Sequence, residues 1–308
     1  MRISYSAFDC FNQCPLKFKF SYIDWVKVPT RPEFFFGALV HEVVQRALRR
    51  DPIIPKLEEL LKYYESKWQE DVFPDKLTSD QYLTLGREMI QNFYEGYKPG
   101  LRKVVAAEKR FQIPLGRHTL SGIIDRVDKL PFGAYEIVDY KTSKSLPSQE
   151  EVDLDKQLAT YAIAVAELWP EAKDMRLTLY FLKHNSQITT FRTPEQIELL
   201  KLEIMKTADK IENTKRFVPR ENKFCAWCDY KNMCPVGQKI EVAKEDESDS
   251  LEKRAQKFVA LKKELEKLET EISAIMKKDK LELFAVEKDI LYRLDDGCLV
   301  LRNKDDLN

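Results

Sequence analysis

The stretch that decides how this chain is read is Gly122-Ile123-Ile124-Asp125-Arg126, followed by Tyr135-Glu136-Ile137-Val138-Asp139-Tyr140-Lys141-Thr142. Both runs alternate and carry β-branched residues, and Pro131-Phe132-Gly133 between them is a turn signal. The segment therefore predicts an antiparallel hairpin centred near Phe132. That register sets Asp125 opposite Asp139. Directly opposed residues point to one face with Cβ atoms about 4.5–5.5 Å apart, and Lys141, two residues beyond Asp139, shares that face. Like charges opposed in this way destabilise a hairpin, so the arrangement implies either a cation between the carboxylates or one protonated acid. A hard divalent cation, Mg²⁺ or Mn²⁺, is the simpler of the two, with Lys141 placed to balance developing negative charge or position a water. Spacing alone leaves a surface hairpin with ordinary charges as the open alternative.

Outward from the hairpin, three further features keep a fixed order. Upstream, Phe36, Val40, Val43, Val44 and Ala47 follow helical spacing, so Gly37-Ala38-Leu39-Val40-His41 opens a helix with His41 beside its apolar face. Downstream, a helix is expected from Glu151 to Trp169, burying Leu154, Leu158, Ala162 and Val165, with Gln157 and Tyr161 stacked one turn apart on an adjoining face. The third feature is a cysteine set, Cys14-Pro15 near the start and Cys225-Ala226-Trp227-Cys228 with Cys234-Pro235 later. Closely spaced thiols in a reducing compartment are poor disulfide material and better ligands for a metal or cluster. Zinc sites usually bring two close pairs, whereas this set has one pair, one single cysteine and the distant Cys14.

Together these motifs resemble the PD-(D/E)XK nuclease superfamily, with Asp125 and Asp139-Tyr140-Lys141 as its acidic and D-x-K signature. Within it they resemble the RecB-type branch with an iron-sulfur cluster, which includes the AddB nuclease domain and CRISPR-associated RecB-like exonucleases. The resemblance covers roughly residues 1–240. It implies an α/β fold, a restriction-endonuclease-like core whose mixed sheet is flanked by helices. It implies that His41, Asp125 and Asp139 hold Mn²⁺ or Mg²⁺, with the Tyr140 carbonyl as a further ligand, and that Lys141 orients water. Gln157 and Tyr161 would line the active site and contact the substrate strand. Cys14, Cys225, Cys228 and Cys234 would hold a [4Fe–4S] cluster that staples the two ends of the nuclease region. Cys10 reads instead as a small buried hydrophobe, and Cys298 lies outside the pattern.

Composition sets the bounds. Lys and Arg number 51, as do Asp and Glu, so DNA contact must come from local basic clusters and not from a global field. No apolar run approaches the ~18 residues that span a bilayer, and the first residues lack a signal-peptide core, which gives a cytoplasmic expectation. No phosphate loop of the G-x-x-x-x-G-K form is present, so unwinding would need a separate helicase or recombination protein.

Along the chain, Ser4 caps a first helix carrying Phe8, Phe11, Phe18 and Tyr22. Residues 55–98 read as two aromatic-rich helices, serving either as core or as base-stacking surface. Strands from Val104 to Leu115 and into Asp125 follow, with Glu108 on the first and able to reach the site if it faces inward. Arg126 points away from it. The segments Leu177–Lys183 and Ile188–Arg192 read as a second hairpin before a helix from Pro194. The expected domains are 1–240, comprising an N-terminal helical region (1–100), a catalytic core (101–215) and a cysteine segment (216–240), and then 241–308. The latter combines an acidic linker, a heptad-patterned helix from Leu251 to Ile275 and a terminal hairpin, and would pack on the body or form a homo-oligomer. The combined expectation is a metal-dependent DNA exonuclease on single-stranded or frayed ends, in recombination, repair or phage DNA processing. A CRISPR-associated nuclease of spacer acquisition and a non-catalytic DNA-binding scaffold are the alternatives.

Overall fold

The structure is a computed structural model that describes residues 1–51, 53–97, 103–172, 174–239, 251–279, 281, 283–286, 289–293 and 299–303. It falls into two compact units, Met1–Lys239 and Ile240–Asn308.

The first unit opens with a strand the sequence did not predict, β1 (Arg2–Ser4), and then α1 (Tyr5–Gln13), whose first turn is capped by Ser4 Oγ accepting from Ala7 N at 3.2 Å. The predicted single helix through Phe18 and Tyr22 is broken at Cys14, which is extended (φ −156°, ψ 110°) before α2 (Pro15–Phe18). Proline excludes helical geometry from the residue before it, and this turns the Cys14 side chain out of the helix register. Next come α3 (Pro32–Leu48), α4 (Leu57–Ser66) and α5 (Lys76–Gly96). They are followed by β2 (Lys103–Leu115), β3 (His118–Lys129) and β4 (Tyr135–Lys141). The predicted helix from Glu151 to Trp169 is two helices, α6 (Gln149–Asp153) and α7 (Lys156–Leu168). Asp155 restarts the chain by accepting from Leu158 N at 2.7 Å, and Leu154, expected in the core, is left 79% exposed. The unit continues with β5 (Met175–Phe181), β6 (Ser186–Thr190) and α8 (Pro194–Asn213), the last opened by a Thr193/Gln196 capping box.

Sheet order is β1-β3-β4-β5-β6, with β2 on the other edge of β3; the β4–β5 and β1–β3 pairs are parallel, the rest antiparallel. Both faces are covered. Phe8, Phe11, Leu158, Val165 and Ile204 pack on one side with Tyr135 and Ile137. Val40, Val43, Leu60, Ile90 and Phe93 pack on the other with Val138 and Tyr140. A strand buried on both faces tends to an apolar run, and β4 follows this at Tyr135, Ile137, Val138 and Tyr140, with Glu136 buried among them. This is the mixed-sheet α/β sandwich the sequence predicts. The aromatic residues of α4 and α5 belong mainly to this core: Tyr64 and Phe93 are buried.

The β3–β4 hairpin turns as predicted around Phe132, with Leu130 N donating to Ala134 O at 2.8 Å and Gly133 at φ +87°, a conformation that suits glycine. Its pairing runs from Lys129↔Tyr135 to Arg126↔Val138 and stops there. Further along the same edge of β3, Thr119–Ser121 pair with β1 instead. Between these two partners, β3 and β4 separate one step short of the Asp125–Asp139 pair, and the separation makes room for a site.

The second unit contains α9 (Leu251–Lys278) and an antiparallel sheet of β7 (Leu283–Val286), β8 (Asp289–Arg293) and β9 (Leu299–Asn303). The expected terminal hairpin is β8–β9, and β7 is an addition to it. Cys298 lies outside the described residues. Among those described, no helix is long and apolar enough to cross a membrane.

Candidate metal centre and cysteine pocket

Three layers meet at the divergence of β3 and β4. Asp125 comes from β3, Asp139 and Lys141 from β4, Gln157 and Tyr161 from α7 on one face, and His41 from α3 on the other. In place of a further backbone pair, Tyr140 N donates to Asp125 Oδ2 at 3.0 Å. The aspartate thus finishes the ladder with its side chain. The His41 side chain comes round from the far layer, Nδ1 lying 3.4 Å from the same Oδ2. Gly37 lets α3 come this near: a Cβ there would meet Thr142 Oγ1 at 3.2 Å, a tight contact with the residue just past the strand.

Asp139 is buried at 3% exposure, and Lys141 Nζ lies 2.6 Å from its Oδ2. Lys141 is the ion-pair partner of this buried oxygen, and no further hydrogen bond reaches it. Burial pushes the Asp139 carboxyl well above its ordinary value; Lys141 opposes the rise and Asp125 adds to it. Burial alone would make His41 less basic, but the Asp125 and Asp139 carboxylates outweigh it and raise its pKa. Lys141 is likewise desolvated yet held charged by Asp139.

A relay leads from the lysine to α7. Lys141 Nζ donates to Gln157 Oε1 at 2.9 Å, and Gln157 Nε2 donates to the Tyr161 hydroxyl at 2.8 Å. Burial keeps the Tyr161 phenol protonated by raising its pKa. These groups line a cleft of about 610 Å³ together with Phe34, Tyr82, Thr142 and Lys144. A second recess of about 650 Å³ meets it at His41, Asp125 and Tyr140 and is walled by Gln45, Arg49 and Glu108.

Glu108 does face this recess, but its carboxylate accepts from Arg49 Nη2 at 2.9 Å, and its φ is +48°. Arg126 points away from the site as expected. It is buried, bonded to Asp128 Oδ1 at 2.7 Å and to the Tyr140 hydroxyl at 3.1 Å.

The donor set of one imidazole and two carboxylates fits a hard divalent cation, and the buried Asp139 carboxylate brings an oxygen whose partner is the Lys141 ammonium alone. Among the described residues, these three donors do not all come within 4.8 Å of one another. A tighter group that the sequence did not suggest, His118, Asp209 and Glu212, does so. Its acids are already neutralised, Asp209 by Arg117, and Glu212 by Arg117 at 2.8 Å and the Met1 ammonium at 2.7 Å. Cations of the chain itself occupy the place a metal would take.

The cysteines form a separate pocket. Asn222 Nδ2 donates to Gln13 O at 3.3 Å, and Arg220 Nη1 donates to Asn12 O, docking the segment after α8 on the end of α1. This brings Cys14 to Cys225, Cys228 and Cys234 around a small, partly open space of about 30 Å³. Backbone amides point at the thiols: Arg220 N donates to Cys14 Sγ at 3.4 Å and Asn222 N to Cys225 Sγ at 3.3 Å. Cys10 is half-buried against the core, and burial pushes its thiol up to about 11.

Known proteins resemble parts of this chain. An ATP-dependent helicase/deoxyribonuclease subunit of Streptococcus pyogenes serotype M49 (strain NZ131) is 29% identical over 146 residues, 44% of this chain and 13% of that protein. Its counterpart from serotype M18 (strain MGAS8232) is 28% identical over the same share. The chain thus matches about an eighth of the length of these relatives. A crystal structure of the protein SSO0001 aligns with a TM-score of 0.31 and 16% identity, covering 67% of this chain and 96% of that one. The match that spans the whole first unit is to a family model: residues 2–235 fit that of the PD-(D/E)XK nuclease superfamily, and the chain belongs to that superfamily.

Proposed function

We propose that the chain is a metal-dependent deoxyribonuclease that hydrolyses phosphodiester bonds, acting as an exonuclease on single-stranded or frayed DNA. The observation that carries this reading is the convergence of Asp125, Asp139, Lys141 and His41 from three layers on one cleft. His41, Asp125 and Asp139 would hold Mg²⁺ or Mn²⁺, with the Tyr140 carbonyl beside them. A divalent cation bound there supplies Lewis-acid charge to the scissile phosphate and acidifies an attacking water.

The chain's own residues do the rest. Lys141, charged and shared between Asp139 and Gln157, places a cation at the phosphate and a donor for the attacking water. Gln157 spends its amide on the Tyr161 oxygen, which leaves the phenolic O–H free to donate to a phosphate oxygen. The low dielectric of this half-buried cleft strengthens each of these contacts.

The four thiols fit a [4Fe–4S] cluster better than zinc. Zinc sites usually bring two close cysteine pairs. These four thiols, one close pair, one single cysteine and the distant Cys14, instead ring a small space. Amides aimed at sulfur are the kind of hydrogen bond that tunes iron-sulfur clusters. The likeness to a helicase/deoxyribonuclease subunit favours work beside a separate helicase or recombination protein over a CRISPR-associated role.

Incubating the purified protein with end-labelled single- and double-stranded DNA under Mn²⁺, Mg²⁺ or EDTA tests the reading. Metal-dependent loss of the labelled terminus is expected. Binding without hydrolysis under every metal would leave the scaffold alternative standing.

A further inference from the structure

Large aromatic side chains are ordinarily withdrawn from water, yet three stand out near Arg31 and the cysteine segment or at the cleft. Trp25 is 73% exposed, Trp227 70% and Phe34 64%. Phe34, on the first turn of α3, lines the cleft with Lys141 and Lys144. Arg31 links it to the cysteine segment: its guanidinium lies 5.9 Å from the Phe34 ring, its Nε donates to Asp229 Oδ1 at 2.6 Å, and its Nη2 donates to the Trp227 carbonyl. Trp25 is held at φ +52°, a strained conformation for a bulky side chain. Its flanks are fixed by Val26 N donating to Phe20 O at 2.9 Å and by the Tyr230 hydroxyl donating to Val26 O at 3.4 Å. The backbone thus keeps the indole in solvent.

We infer that Trp25, Phe34 and Trp227 form a lip that stacks the unpaired bases of one DNA strand as it passes into the carboxylate cleft, selecting single-stranded over duplex ends. This rests on the nuclease reading above. Two features favour a nucleic acid strand as the occupant. Basic residues interleave with the rings, Lys27 and Arg31 between Trp25 and Phe34, and Lys223 beside Phe224 and Trp227. The lip is also continuous, through Phe34, with the cleft that holds the reacting groups. Base stacking on aromatic rings tolerates any sequence and needs a base face that a duplex hides. A lip of this kind would let the site accept frayed ends without reading them.

The test measures binding apart from cleavage, by fluorescence anisotropy of labelled oligothymidylate on the Asp139→Asn protein. Each of Trp25→Ala, Phe34→Ala and Trp227→Ala in that background is expected to weaken single-strand binding roughly 10-fold, and the triple variant roughly 100-fold or more. Blunt duplex binding should stay within about twofold, and Trp25→Phe should bind nearly as the parent because stacking needs a ring and not an indole. Indole fluorescence should be quenched by the oligonucleotide in the parent and lose that response in Trp25→Phe combined with Trp227→Phe. A triple variant that binds single strands as tightly as the parent overturns the inference, and this is also the outcome expected if the lip serves a protein partner. Equal weakening for single strand and duplex overturns it as well, since that is loss of fold or charge. If the unmutated protein never hydrolyses DNA but shows the stacking pattern, the nuclease reading fails while the lip stands.

Discussion

Around the cleft every donor hangs from a regular element: His41 from α3, Asp125 from β3, Asp139 and Lys141 from β4, Gln157 and Tyr161 from α7. The four thiols hang from irregular chain, at the break between α1 and α2 and in the short turns after α8. The cleft residues are held by a two-sided core. Between Lys215 and Lys239, by contrast, Tyr230 is the only hydrophobic side chain that is buried. The difference teaches that, on the proposed reading, the two sites would depend on their ligands in opposite ways. The carboxylate site takes its shape from the sandwich that carries it. The cysteine segment has little buried apolar surface of its own, so on the proposed reading a group held by the thiols would secure it.

The sharpest way to break this comparison is to remove a donor from each site and read activity and stability together. Asp139→Ala should abolish hydrolysis, by roughly 10³-fold or more, while leaving single-strand affinity within about threefold, since phosphate contacts supply most of it. Its melting temperature should fall only modestly, because removing a desolvated carboxylate offsets part of what the partly exposed Lys141 loses with its partner. Undiminished hydrolysis by Asp139→Ala would sink the proposed site. Asp125→Ala and Lys141→Ala should lose activity similarly.

Cys14→Ser should do the reverse. Joining Cys14 to the Cys225–Cys234 group closes a loop of roughly two hundred residues, and cross-linking a loop that long stabilises by about 4–5 kcal/mol on the chain-entropy account of disulfides. For a unit of this size that corresponds to roughly 10 °C in melting temperature. The parent should be brown and contain iron. Cys14→Ser should lose both iron and melting temperature, whereas Cys10→Ser should keep them. Zinc in place of iron in anaerobically prepared protein would overturn the cluster but not the staple; full metal and stability in Cys14→Ser would overturn the staple.

A finer test stays within the cleft. His41 comes from a different layer than the carboxylates, so His41→Ala should leave the acids in place and raise the Mn²⁺ concentration for half-maximal activity about tenfold, ~1.4 kcal/mol of lost ligation. A titration that overlays the parent's would make His41 a packing residue.

The unequal security of the two sites also explains what could be read from sequence. Strand alternation and the Pro131-Phe132-Gly133 turn were enough to set Asp125 opposite Asp139 in register, though the β3–β4 pairing ends one step before that pair. Helical spacing found α3 and the Gln157/Tyr161 pair. Other features escaped. A three-residue strand such as β1 has too few residues to show a period, and its pairing to β3 is a long-range event. The break at Leu154 turned on an N-cap, Asp155, hidden inside an otherwise helical apolar pattern. The exposed lip carries no periodic signal, since stacking surfaces are defined by what fails to pack, and only burial distinguishes Phe34 from Phe36.

The smallest expected effect belongs to Tyr161, and it separates a substrate contact from packing. Its hydroxyl accepts from Gln157, whose other end accepts from Lys141, so the phenol steadies the lysine and, on the proposed reading, would offer a donor to the phosphate. Tyr161→Phe keeps the ring in the core and removes only the oxygen. One hydrogen bond of this kind is worth about 0.5–1.5 kcal/mol, so kcat should fall roughly 3- to 10-fold. If the hydroxyl meets the phosphate chiefly in the transition state, kcat and kcat/KM fall together and KM is unchanged. A rise in KM alone would make Tyr161 a ground-state contact. If kinetics match the parent, then Gln157 holds Lys141 without help, and the relay from β4 to α7 ends at the amide.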